Sequence, residues 1–180
     1  MALAPIALDS LTLRIHHLWK NEWFLLTAGE FATRHYNTMT VAWGALGVMW
    51  NKPIAVVVVR PQRYTHEFME SSPDFTLCAF PSRYRHALNL LGSRSGRDGD
   101  KIGSSGLTPC AAVAVHSPCF VEAKLVLECR KIYRDSIDPS GFLDPSIDSN
   151  YKTRDYHTVY FGEILSARGA EGYGASAGSA

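Results

Sequence analysis

Apolar positions along the chain recur mostly with the spacing of strands. Trp23–Ala28, apolar except for Thr27, is bounded by Gly29-Glu30, which predicts a first strand closed by a turn. Two more apolar runs, Met39–Trp43 and Leu46–Trp50, follow a polar turn at Tyr36-Asn37-Thr38. After Lys52-Pro53 comes Ile54–Val59, a short run of β-branched and small residues that predicts a strand buried on both faces. Pro53 suits the entry to that strand, because inside it a proline would remove a ladder donor. Phe75–Phe80 predicts a further strand. Phe120–Tyr133 alternates in part, with Val121, Ala123, Leu125 and Leu127 on one face and Glu122, Lys124 and Glu128 on the other, as a long half-exposed strand should. Tyr156–Leu165 predicts the last.

Helical spacing is confined to two places. Thr65 is read as an N-cap, with Glu67 in the first turn, for a short helix stopped by Ser71-Ser72-Pro73. A second helix starts at Ser82; Tyr84, Ala87, Leu88 and Leu91 lie on one face and Gly92 is placed to close it. Ser93–Gly106 is polar and glycine-rich, a loop with one helical turn near Lys101. Asp135–Tyr151, with two Asp-Pro steps, reads as an irregular excursion. Residues 1–18 read as an arm. Short strands with few intervening helices predict a mainly β protein with α decoration, a barrel rather than alternating βαβ units. One domain over residues 1–168 is expected, with a flexible Gly/Ala/Ser tail over 169–180.

Composition narrows the classes. A chain of 180 residues suffices to bury roughly 70% of its unfolded surface. A net charge of +1 supplies no field to gather nucleic acid or an anionic membrane. That weighs against an oligonucleotide surface built on Arg60–Tyr64 and Arg83-Tyr84-Arg85, where bases would stack on the tyrosines. No apolar stretch approaches the ~18 residues of a membrane span. Residues 2–8 lack the basic start of a signal peptide and are interrupted by Pro5, so a cytoplasmic location is expected. Cys78, Cys110, Cys119 and Cys129 show no zinc spacing and are read as reduced thiols, although Cys110 and Cys119 flank a loop and could pair. The histidines show no HxH or HExxH pattern, and no metal site is expected.

The informative chemistry lies in two loops. Arg60 and Arg63 leave the Ile54–Val59 strand just before the helix at Thr65; Arg97 and Lys101 sit with Ser93 and Ser95 in the second loop. Cations and hydroxyls brought to a helix N-terminus can hold a phosphate dianion, where the alternative is simply solvated arginines. The turn Asn37-Thr38-Met39 offers backbone groups and an amide to a polar ring edge, and Trp43 can pack beside a flat heterocycle. The plainer alternative makes Asn37 a turn residue, Trp43 core and His157 a structural strand histidine.

Four segments carry a family resemblance. Asn37-Thr38-Met39-Thr40-Val41-x-Trp43-Gly44, Arg60-Pro61-Gln62-Arg63-Tyr64-Thr65, Ser93-x-Ser95-Gly96-Arg97-Asp98-x-Asp100-Lys101 and Asp155-Tyr156-His157-Thr158-x-Tyr160-x-Gly162-Glu163-Ile164 resemble the flavin reductase-like family of FMN-binding split barrels, and within it the flavoredoxin-like branch. The resemblance spans roughly residues 20 to 165. It implies a Greek-key split barrel that forms a homodimer with FMN near the interface. It also implies Thr65, Lys101 and the preceding serines near the phosphate, Asn37 and Trp43 along the flavin, and His157 near the ring. The implied activity is electron transfer between NAD(P)H and flavin or a redox protein partner; the alternative is a flavoredoxin-like carrier that does not oxidise NAD(P)H. Trp43-Gly44-Ala45-Leu46-Gly47 replaces the serine-rich run of commoner members, which bears on nicotinamide stacking more than on FMN binding.

Overall fold

Strands dominate the chain, whose structure, a computed structural model, describes residues 3–174. In chain order the elements are β1 (Ala4–Pro5), α1 (Ile15–His17, running into a π turn), β2 (Phe24–Glu30), β3 (His35–Val41), β4 (Gly44–Met49), β5 (Lys52–Val59), α2 (Tyr64–Ser71) and β6 (Asp74–Ala79). Then follow α3 (Arg85–Ser93), α4 (Lys101–Ser105), β7 (Pro109–Cys110), β8 (Cys119–Phe120), β9 (Leu125–Ser136) and β10 (Thr158–Gly169). One antiparallel sheet runs β3-β2-β6-β9-β10-β5-β4, with β1 added on β10.

The ends of that path explain the barrel. β3 and β4 lie at opposite edges, yet only Ala42 and Trp43 separate them. Three Cα steps span at most about 11 Å, whereas seven strands laid flat would span roughly 29 Å. The sheet must therefore curl until its edges meet. β3 and β4 are not hydrogen-bonded to each other, so the barrel is left open along this seam. Two bulges in the β9–β10 ladder, at Ile132 of β9 opposite the Phe161–Gly162 step and at Leu165 of β10, supply part of the curvature. Gly162 sits at the first, where a Cβ would come within 2.5 Å of the Phe75 ring.

Phe24, Leu26, Met39, Val41, Val57, Val59, Leu77, Leu127 and Tyr160 fill the barrel interior. Leu25, Cys78 and Val126 point the other way and pack with Leu88 and Leu91 of α3 and with Phe120. Strand alternation thus feeds two cores, which is why β2 and β6 read as near-continuous apolar runs.

Several boundaries differ from expectation. β2 continues through Glu30, because Gly29 adopts φ +124° inside the strand; the turn falls at residues 31–34, with Arg34 left-handed. Asn37 and Thr38 lie in β3, not in a turn. β5 is buried on its barrel face only, since Val56 and Val58 are half-exposed. α2 starts one residue early: extended Arg63 is the N-cap, without a side-chain bond, and Thr65 lies buried inside the helix. Gly92 lies within α3, and Arg94 follows its end. The expected strand from Phe120 divides into β8 and β9, because β8 pairs with β7 instead. The N-terminal arm is pinned through β1, and Leu11, Leu13 and Ile15 pack on the barrel core. Of the expected tail, Gly169 pairs with Leu125 and Tyr173 packs on the barrel core; residues 175–180 lie outside the described residues. No helix among the described residues is long and apolar enough to cross a membrane.

Candidate functional site

Two adjoining cavities open at the seam and share Met39, Arg60 and Arg63. The larger, about 480 Å³, is lined also by Asn37, Thr65, Ser93, Ser95 and Lys101, with Gln62, Tyr64, Leu91 and Arg94. The smaller, about 190 Å³, adds Thr40, Val41, Ala42, Trp43, Val58 and His157. All the residues singled out in the sequence except Thr38 and Arg97 therefore line one continuous depression. β3 alternation turns Thr38 away from Asn37 and Met39, and its hydroxyl donates to Leu26 O at 3.1 Å and accepts from Thr27 Oγ1 at 2.9 Å.

The larger cavity is electropositive. Arg60, Arg63, Arg94 and Lys101 line it, and no carboxylate among the described residues does. Lys101, only 5% exposed, donates from Nζ to Leu91 O (3.0 Å) and Arg94 O (3.1 Å), and no described carboxylate pairs with it. Burial, then the neighbouring Arg63 charge, pull its pKa down to about 8. Asn37 Nδ2 donates to Thr65 Oγ1 at 2.8 Å, which leaves the Thr65 hydroxyl proton free to donate. The first N–H groups of α2, at Tyr64 and Thr65, have no intrahelical acceptor and carry the positive end of the helix dipole. Gly96 is required nearby, since a Cβ there would meet Asn37 Oδ1 at 2.5 Å.

Not every expected ligand is free. Arg60 is paired with Asp155 (2.6 Å), donates to Asn150 O (2.8 Å) and lies over the Tyr151 ring, so it fastens the 137–157 excursion to the cavity rim. Arg97 pairs with Glu67 and covers Tyr64. Ser93 spends its hydroxyl on Asn89 O, whereas Ser95 Oγ accepts from Arg97 N–H and keeps its proton. Arg63 donates to Gly92 O at 3.1 Å.

In the smaller cavity Trp43 is 49% exposed and its ring centroid lies 5.3 Å from that of His157. Tyr151 Oη and His157 Nδ1 share a hydrogen bond of 2.9 Å. Burial, then the Arg60 charge, lower the His157 pKa from 6.5 to about 4, so the imidazole is neutral at pH 7. The unfolded chain takes up this proton more readily, so this group's contribution to stability is complete above pH ~6.5 and is lost as pH falls through ~4. In a histidine NMR titration His157 is expected to stay neutral from pH 5 to 8; a midpoint near 6.5 would contradict its buried placement.

The flavin reductase like domain model matches residues 20–176, most of the chain. The chain belongs to that family. Among flavin reductase-like proteins of known structure it is similar to an FMN-binding domain of flavin reductases-like enzyme from Shewanella baltica, with TM-score 0.67, 19% identity and coverage of 93% of this chain and 77% of that one. Flavoredoxin of Desulfovibrio vulgaris (Miyazaki F) gives TM-score 0.65 and 23% identity over 92% and 76%. The NADH:FAD oxidoreductase SgcE6 of Streptomyces globisporus gives TM-score 0.60 and 16% identity over 81% and 74%. No curated protein matches in sequence. These likenesses bear out the split-barrel fold.

For this flavin reductase-like chain, sequence reasoning missed Arg94 and Gln62 as cavity residues and Tyr151 and Asp155 as the supports of His157 and Arg60. Arg94 follows Ser93 directly, and a basic residue beside two serines was a usable signal. Asp155 gave none, because its partner Arg60 lies 95 positions away, and Tyr151 gave none, because the irregular segment between it and His157 has no period that would bring the two together.

Proposed function

We propose that the chain binds FMN in the seam cavities and works as a flavin-dependent oxidoreductase. The observation that carries this reading is a buried lysine among three arginines in a cavity without a carboxylate. Burying such a cation is costly unless an anion completes it. The larger cavity, at about 480 Å³, falls in the range of small-molecule sites, about 300–1,000 Å³. Lys101, Arg63, the Thr65 hydroxyl and the α2 N-terminus would hold the phosphate; Asn37, Met39, Trp43 and His157 would border the ring. Bound FMN would supply the redox chemistry, accepting electrons as a pair and releasing them singly or together. The protein's own part is to fix the phosphate, exclude water with Met39 and Trp43, and keep His157 as a neutral hydrogen-bonding group.

NAD(P)H as donor is the first version. The alternative, a carrier exchanging electrons with a redox protein, is favoured by Trp43, whose half-exposed indole borders the shallow lobe where a nicotinamide would have to stack. Anaerobic stopped-flow mixing of the FMN-loaded protein with NADH and with NADPH separates them: a reductase bleaches the flavin absorbance within seconds at millimolar nucleotide, a carrier does not. A protein that retains no FMN at all would overturn both.

A homodimer belongs to the same proposal. Val48 is 77% exposed, and Met49, Trp50, Tyr133 and Leu165 are also open to solvent. Trp50, Tyr133 and Phe161 cluster with ring centroids 5.5–5.9 Å apart across β9, β10 and the β4–β5 turn. An apolar face of this kind marks an interface. Sedimentation equilibrium is expected to give twice the 19.9 kDa chain mass, and Trp50→Lys to give the monomer; a wild-type monomer would remove the dimer.

A further inference from the structure

We propose that Cys110 and Cys119 form a thiol–disulfide redox site that is oxidised by hydroperoxides. Neither residue lines the seam cavities, and the inference does not depend on flavin binding. The four cysteines are free thiols, but they are not equivalent. Cys78 and Cys129 are buried in the barrel sheet, and burial pushes both thiols up, away from the reactive thiolate form. Cys110 and Cys119 instead face each other across the two-stranded ribbon of β7 and β8. Directly opposed residues of an antiparallel pair have Cα atoms about 4.5–5.5 Å apart, inside the ~4.4–6.8 Å that a disulfide spans. Their sulfurs are already 3.4 Å apart.

The surroundings assign the two sulfurs different tasks. Arg168 donates from Nη2 to Cys119 Sγ at 3.4 Å, and the same nitrogen bonds Glu128 Oε1 at 2.9 Å, which holds the guanidinium in place. The Cys110 thiol, with Arg168, lowers the Cys119 pKa to about 7 against the opposing effect of burial. Cys119 is buried, while Cys110 is partly open to solvent. The hydrogen bond to Cys119, then burial, push the Cys110 thiol far up, away from the thiolate form. Cys119 is therefore the thiolate that attacks the oxidant, and Cys110 is the thiol that resolves it.

Cys119 Sγ, as the thiolate, attacks the terminal oxygen of the hydroperoxide. The O–O bond breaks, Cys119 becomes the sulfenic acid, and the alkoxide takes up the proton that Cys119 gave up and leaves as an alcohol (or as water from hydrogen peroxide). Cys110 Sγ then attacks Cys119 Sγ, and the hydroxide leaves with the Cys110 proton as water. In sum, two thiols and one hydroperoxide give one disulfide, one alcohol and one water. The bridge closes the loop 111–118, whose Val113 and Ala114 N–H groups hold Glu128, and it withdraws the Cys119 charge from Arg168.

The test uses the full chain, reduced, freed of reductant and treated anaerobically with about one equivalent of hydrogen peroxide, followed by thiol counting under denaturing conditions and peptide mapping. The expected result is loss of two of the four thiols, with a linked Cys110–Cys119 peptide about 2 Da lighter than its reduced parts, restored by dithiothreitol. In Cys110→Ser the Cys119 sulfenic acid should persist and be trapped by dimedone, and in Cys119→Ser oxidation of Cys110 should slow at least about 10-fold. Retention of all four thiols, preferential oxidation of Cys78 or Cys129, or conversion of Cys119 to sulfinic acid beside a free Cys110 would overturn the proposal. Oxidation of Cys110 at the wild-type rate in Cys119→Ser would overturn the order of attack. If either variant fails to fold, peptide mapping of the wild-type chain decides alone.

Discussion

Lys101→Met is expected to weaken FMN binding by about 100-fold while leaving riboflavin binding within about 3-fold of wild type. The ammonium is buried without a carboxylate, so a phosphate oxygen would be its first full charge partner. A charge-assisted hydrogen bond of this kind contributes roughly 1.5–3 kcal/mol, and ~1.4 kcal/mol is tenfold in affinity. Lys101 also bonds Leu91 O and Arg94 O, so the same substitution loosens the end of α3. Riboflavin separates the two effects because it keeps the ring and lacks the phosphate. Equal loss of both ligands would mean that a collapsed loop, not a missing cation, is responsible; no loss of either would remove the phosphate assignment. The same lysine sets a pH dependence. Its pKa without an anion is about 8, so FMN affinity should decline as pH rises above that value, and binding near pH 9 should take up protons. For the ligand-free protein the sign is opposite. The unfolded chain holds this proton up to about 10.5, so the group's destabilising effect is full below pH ~8 and is relieved as pH rises from there to 10.5.

What could be read in advance was governed by distance along the chain. The strand runs were legible because short apolar runs rich in β-branched and aromatic residues, bounded by turn residues, show within any window of six to eight residues. The grouping of Arg60, Arg63, Thr65, Ser93, Ser95 and Lys101 in one cavity was legible through the family resemblance of the two loops, since the residues alone left solvated arginines as the alternative. How each cation is spent was not. Arg60 and Asp155 are separated by 95 positions, and nothing local says that Arg60 will anchor an excursion instead of meeting an anion. Thr65 was misread as a cap because Arg63 can take the extended cap geometry itself, which moves the helix start forward and buries the threonine against Asn37. Trp43 is only two residues beyond β3, yet its exposure depends on the unpaired seam, a property of the closed sheet.

The largest expected loss of stability follows from a pair that no local pattern announces. Glu128 is fully buried in β9; it accepts from Arg168 at 2.9 Å and from the Val113 and Ala114 N–H groups. Arg168→Met should destabilise the fold by about 3–5 kcal/mol, because it leaves a carboxylate in the interior without its cation. For a chain of this length that lowers the Tm by on the order of 10 °C. Glu128→Gln should cost less, since the amide oxygen still accepts from the loop and the part-exposed guanidinium can turn to solvent. The double variant should then recover most of the Arg168→Met loss, because no charge is left buried. Urea unfolding of the four proteins measures the coupling. Strict additivity would show that Arg168 acts through packing alone. Strong coupling would show that the pair organises the 111–118 loop, so that any change in the charge on Cys119, which shares Arg168, is felt by Glu128 and through it by β9.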